Sequence, residues 1–162
     1  MKRLVYFLAP CLLSACGWSP MYSDNLILQN RVADIYIAPI AGTNGIDLRN
    51  SLILSWNTSN DKSAKYRLSV KLNEPQTIYK ALQRSGDATW DEVRITASWT
   101  LSEGENIIAK SSETASESYA FVSDLVSASA SKTSAIEHAI HSVAEKIELK
   151  VNAKLKDLAK YE

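Results

Sequence analysis

The chain has 162 residues, and its 18 basic and 18 acidic side chains leave it without net charge. That balance offers nucleic acid no global basic field, and with five glycines and four prolines the sequence holds no Gly-rich phosphate loop, collagen-like bias or long linker. Its length fits one domain able to bury a sizeable core, and no internal repeat is present.

The first segment is patterned for export. Met1-Lys2-Arg3 is a basic head, Leu4 to Leu13 an apolar run, and Leu13-Ser14-Ala15-Cys16-Gly17 a small-residue cleavage box around a cysteine. The apolar run is about half of the roughly 20 residues needed to span a bilayer. Residues 1–15 are therefore expected to be a removed lipoprotein signal peptide, with lipid added at Cys16. Cys11 would leave with the signal, so Cys16 would have no disulfide partner in an oxidising compartment, and acylation accounts for it. Each buried methylene adds about 0.8 kcal/mol, so two or more acyl chains would hold the chain to a membrane without spanning it. Gly17 stands where an Asp retains lipoproteins in the inner membrane of enteric-type bacteria; outer-membrane delivery is the expectation. Cleavage removes Lys2 and Arg3, leaving 16 basic residues against 18 acidic.

Residues 16–30, with Trp18, Pro20, Met21 and Tyr22, read as a lipidated tether, and 31–162 as a single domain. Ala33 to Ile40 alternates as a strand ended by Pro39. Gly42-Thr43-Asn44-Gly45 is a turn that feeds a helix carrying Leu48, Leu52, Ile53 and Trp56, closed by Asn57 to Asp61. Tyr66, Leu68, Val70 and Leu72 then alternate with Arg67, Ser69 and Lys71, the half-buried pattern of a sheet with one wet face. Pro75 interrupts this strand and Ile78 to Leu82 resumes it. After a Ser85-Gly86-Asp87 turn, Val93, Ile95, Ala97, Trp99 and Leu101 form the clearest strand. Ser102 to Asn106 is a hairpin loop, and Ile107 to Tyr119 a third strand whose Ser, Thr and Glu content suits an edge.

Ser123-Asp124 can cap a long final helix. Its stripe of Ile136, Ile140, Val143, Ile147, Val151, Leu155 and Leu158 recurs at three- and four-residue steps. The expected fold is α+β, a two-layer sandwich with a small, mostly antiparallel sheet in β-α-β-β-β-α order and two helices packed on one face.

Little points to catalysis. His138 and His141 are three apart on the last helix near Glu137 and Glu145, but no second ligand cluster completes a metal site. The serines lack a Gly-x-Ser-x-Gly elbow, and neither histidine has a nucleophile beside it. Glu103 and Glu105 lie in a loop and are solvated. The expectation is a protein that is not an enzyme, with no metal and no cofactor.

Cys16-Gly17-Trp18-Ser19-Pro20-Met21-Tyr22 resembles the start of the LPS-assembly lipoprotein LptE family. So do Arg67-Leu68-Ser69-Val70, Asp87-Ala88-Thr89 ahead of Val93 to Leu101, and Ser118-Tyr119 before a long final helix. Trp90 stands where a basic residue is expected, and Ser-Ala-Ser-Ala-Ser replaces a more acidic helix start. The resemblance spans essentially the whole chain after the signal. It implies an outer-membrane lipoprotein, lipid-anchored on the periplasmic side, that plugs the LptD β-barrel, assists its assembly and helps deliver lipopolysaccharide to the cell surface. It gives the Ser/Thr-rich strand from Ser111 to Ser118 a second reading, as a barrel-facing surface. Lys80, Arg84 and Arg94, near the turn between the first two middle strands, become candidate ligands for lipid A phosphates. Two other classes remain: an accessory lipoprotein of a periplasmic lipid transporter, and an anchored hydrolase using His138 or His141.

Overall fold

The structure is a computed structural model that describes residues 30–82, 88–120 and 124–159, with only the backbone for 80–82, 88 and 89. The expected signal peptide, Cys16 and nearly all of the tether lie outside the described residues, as do Arg84, the Ser85-Gly86-Asp87 turn and Ser123.

A helical turn at 30–33 leads into β1 (Ile35–Ile37), followed by α1 (Thr43–Trp56), β2 (Tyr66–Leu72), β3 (Gln76–Leu82), β4 (Ala88–Glu103), β5 (Asn106–Ala120) and α2 (Leu125–Ala159). The fold is α+β: one five-stranded sheet with both long helices on the same face. β1 and β2 pair in parallel through the α1 crossover, and every other pairing is antiparallel.

β4 organises the sheet. β5 pairs along its whole length on one edge, while β2 and β3 lie end to end along the other, against Ala97–Glu103 and Ala88–Arg94 respectively. β2 and β3 are thus one broken strand, as the Pro75 interruption suggests. Asn73, Glu74 and Pro75 form the break, where Pro75, with no N–H to donate, does least harm, and the Asn73 N–H still reaches the Thr96 carbonyl at 2.9 Å. The β4–β5 connection is tighter than the five-residue loop expected: Gly104, at a φ of 57°, and Glu105 alone join the strands, the positive φ being one a two-residue hairpin requires.

The core lies between the sheet and the helices. Val93, Ile95, Ala97 and Leu101 of β4 are fully buried with Trp99 beside them, facing Leu48, Leu52 and Trp56 of α1 and Ala139, Ile140, Val143, Ile147, Val151 and Leu155 of α2. Ala135, Ala139 and Ala144 are also buried, small side chains in the packed stripe of α2. α2 starts earlier than its apolar stripe: residues 125–134 bury nothing fully, and the turn is held instead by Asp124, whose Oδ2 accepts from the Ser127 N–H at 2.9 Å and the Ser127 hydroxyl at 2.6 Å. α1 likewise begins inside the expected turn. Gly45 is helical, and a Cβ there would meet Ile40 Cγ2 at 2.8 Å and its backbone at 3.0 Å, so glycine serves close packing at this position.

Candidate interaction face

Strand alternation gives every β4 residue one of two sides, and the side opposite the helices has no described element over it. The register fixes its membership: Tyr36 of β1; Arg67, Ser69 and Lys71 of β2; Gln76 and Ile78 of β3; the even residues Trp90 to Ser102 of β4; and Ile107, Lys110, Ser112, Thr114, Ser116, Ser118 and Ala120 of β5. Hydroxyls meet across the strands. Thr96 and Thr114 are 2.9 Å apart, Ser98 and Ser112 3.3 Å. The Ser/Thr-rich strand thus is an edge strand among the described residues, and its even positions supply four of the nine hydroxyl side chains of this face.

The face is basic. Arg67, Lys71, Arg94 and Lys110 share it with a single carboxylate among the described side chains, Glu92. Arg67 stacks over the Tyr36 ring at 4.9 Å. Lys71 and Lys110 are exposed and flank a shallow groove floored by Ser69, Ser98 and Thr100.

The three basic residues singled out from sequence are not gathered by the described structure. Arg94 lies within β4 opposite Gln76, six residues before Leu82 and so about 20 Å up the ladder from the turn it was expected to flank. Its guanidinium pairs with Glu92 at 2.8 Å and with the Ser116 hydroxyl at 3.3 Å. Lys80 falls at the register shift between Tyr79 and Ala81, its side chain outside the described residues together with Arg84. Alternation along the sequence puts Lys71 on the wet face, but only the β4–β5 register brings Lys110 to the same groove.

On the helix side, Asp91 is only 4 % exposed and accepts from the Tyr119 hydroxyl at 3.2 Å. Burial, and then the neighbouring Asp91, push the Tyr119 hydroxyl above its usual range, keeping it protonated and able to donate. His138 and His141 are exposed on α2, and no three His, Cys, Asp or Glu side chains cluster as metal ligands among the described residues. No described helix is long and apolar enough to cross a membrane.

No protein-family model matches the chain, and no curated protein does. Solved structures do. A protein assigned as a lipoprotein from Caulobacter crescentus is 21% identical with a TM-score of 0.64, covering 79% of this chain and 95% of its own. Rare lipoprotein B from Shewanella oneidensis is 11% identical at the same TM-score, covering 77% and 98%. Lipoprotein B from Nitrosomonas europaea, 16% identical, has a TM-score of 0.58 and covers 74% and 81%. At these identities the likeness is one of fold, and this chain's sheet and helices are those of structures named as lipoproteins.

Proposed function

We propose that this chain is an LptE-like outer-membrane lipoprotein, anchored through Cys16, that plugs the lumen of the LptD β-barrel, assists its assembly and helps deliver lipopolysaccharide. The observation that carries the reading is the uncovered hydroxyl face of the sheet. Large outer-membrane barrels have polar interiors, and a flat surface of short hydroxyl side chains can hydrogen-bond such a wall with few rotamers to immobilise. A plug works by shape and hydrogen bonding, so no catalytic residue is required and no enzyme activity is assigned. The fold shared with structures named as lipoproteins supports the anchor.

In this reading Lys80 and Arg84 meet lipid A phosphates, and changing both to Ser lowers lipopolysaccharide binding and its salt sensitivity while the barrel is retained; Arg94, held by Glu92 on the face turned to the barrel wall, is not part of that site. The decisive experiment is affinity purification of the full chain from detergent-solubilised outer membranes. LptD should come with it; an inner-membrane transporter coming instead would overturn the plug. Cys16→Ala should leave the chain unprocessed or released, and normal cleavage with outer-membrane fractionation would remove the anchor from the reading.

A further inference from the structure

Resting on the plug reading, and adding to it the chemistry of the partner's surface, we infer that the barrel wall opposite this face presents carboxylates to Lys71 and Lys110. The whole chain is neutral, yet its uncovered face gathers Arg67, Lys71, Arg94 and Lys110 against Glu92 alone among the described side chains. Two of these cations already have company, since Arg94 is held by Glu92 and Arg67 lies on Tyr36. Lys71 and Lys110 are exposed and form no ion pair among the described residues, so they are the charges open to a partner.

Their spacing suits a β-sheet. Lys71 lies opposite Ser98, Lys110 opposite Thr100, and β4 runs between them. Two strand spacings and a two-residue step put their Cα atoms about 12 Å apart. A barrel wall repeats on the same lattice, its lumen-facing side chains alternating along each strand, and stacked sheets sit about 10 Å apart, within reach of a lysine arm meeting an Asp or Glu. Ser69, Ser98 and Thr100 floor the groove between them and can donate to the same carboxylates.

The test uses the full chain with the barrel that co-purifies with it in detergent. A water-soluble carbodiimide joins an amine to a carboxylate in direct contact without a spacer, and mass spectrometry reads the linked residues. Amide links from Lys71 or Lys110 to Asp or Glu of a barrel strand are expected. Reversing both charges, Lys71→Glu with Lys110→Glu, should lower barrel recovery about tenfold or more, since like charges set against each other across an interface are strongly unfavourable, and Lys71→Gln with Lys110→Gln should lower it less. A barrel that links only through Lys150 or Lys154 of α2, or is recovered undiminished by a folded double-Glu variant, overturns the inference and leaves the plug standing. A double-Glu variant that keeps the barrel but loses lipopolysaccharide overturns it in favour of phosphate. Failure of any barrel to accompany the unsubstituted chain overturns the plug and the inference together. Should the double-Glu variant not fold, the links made by the unsubstituted chain decide.

Discussion

The two sides of β4 differ more than any two segments of the chain. From Val93 to Leu101 the odd residues are Val, Ile, Ala, Trp and Leu, all within the core. The intervening even residues are Arg, Thr, Ser and Thr, with nothing described above them. One strand therefore carries both the stability of the domain and its free surface. Between its long cations the face carries short hydroxyls paired across strands, which are pre-ordered and lose little when another surface arrives.

Truncation on the buried side should have the largest effect. Trp99, 4 % exposed, and Ile140, 3 % exposed, face each other's layers across the core. Trp99→Ala should destabilise the domain by about 3–5 kcal/mol and Ile140→Ala by about 2–5, against a total of roughly 5–15. Thr100→Ala, on an adjoining even position, should stay within about 0.5 kcal/mol. Equal losses on the two sides in denaturant unfolding would erase the comparison.

A second, smaller effect separates the sheet's two edges. β1 is only three residues long, and its outer groups are satisfied by the loop after α1. The Thr58 hydroxyl lies 2.9 Å from the Ala33 carbonyl and 2.8 Å from that of Ile35, and the Ile37 N–H donates to Asn60 Oδ1 at 2.7 Å. The β5 edge is longer and barer. Lys146 Nζ donates to the Thr114 carbonyl at 2.6 Å, reaching the strand from α2. Thr58→Val keeps the shape and removes the hydroxyl, leaving buried carbonyls short of a donor, and should lower stability by about 1–3 kcal/mol. Unchanged unfolding would mean that water reaches this edge.

How much of this was legible from sequence follows from the range of the interactions. The alternation of β4, the apolar stripe of α2 and the Asp124 cap are local patterns, and each lies where its period puts it. Even the Arg94–Glu92 pair follows from alternation, since residues two apart on a strand share a side. What escaped depends on register or close approach. Gly45 reads as a turn glycine, and only the packing of Ile40 against it shows why a Cβ is excluded. Thr58 and Asn60 read as helix-ending polar residues, and their bonds to β1 cross more than 20 positions. Lys110 looks like any charge on a polar strand until the β4–β5 pairing sets it across from Lys71.

Removing the hydroxyl ladder without touching the core isolates the free face of β4. Changing Thr96, Ser98, Ser112 and Thr114 together to Ala deletes two cross-strand hydroxyl pairs, each contributing about 0.2–1 kcal/mol. If the chain is the plug proposed above, the domain should stay folded while barrel recovery falls. Recovery equal to the unsubstituted chain would move the contact to the helix layer or the strand edges.

The smallest effect is confined to one helix end. The Ser127 hydroxyl, and then the Ser127 N–H, hold the Asp124 carboxyl below its ordinary value of 3.8, because both bonds favour the charged form. A carboxyl whose folded value lies below its unfolded value stabilises the folded helix end above the unfolded value, and that contribution disappears as pH falls through the folded one. The cap should thus be intact at neutral pH and lost only below 3.8, with the Ser127 amide exchanging faster there while core amides in β4 are still protected. Asp124→Asn accepts from the same N–H but cannot titrate, so its Ser127 protection should be independent of pH over this range. NMR titration of the Asp124 carboxyl carbon reads the midpoint directly. A midpoint at or above 3.8, or Ser127 protection that falls equally in the Asn variant, would show that the bonds to Ser127 do not set the start of α2 in solution.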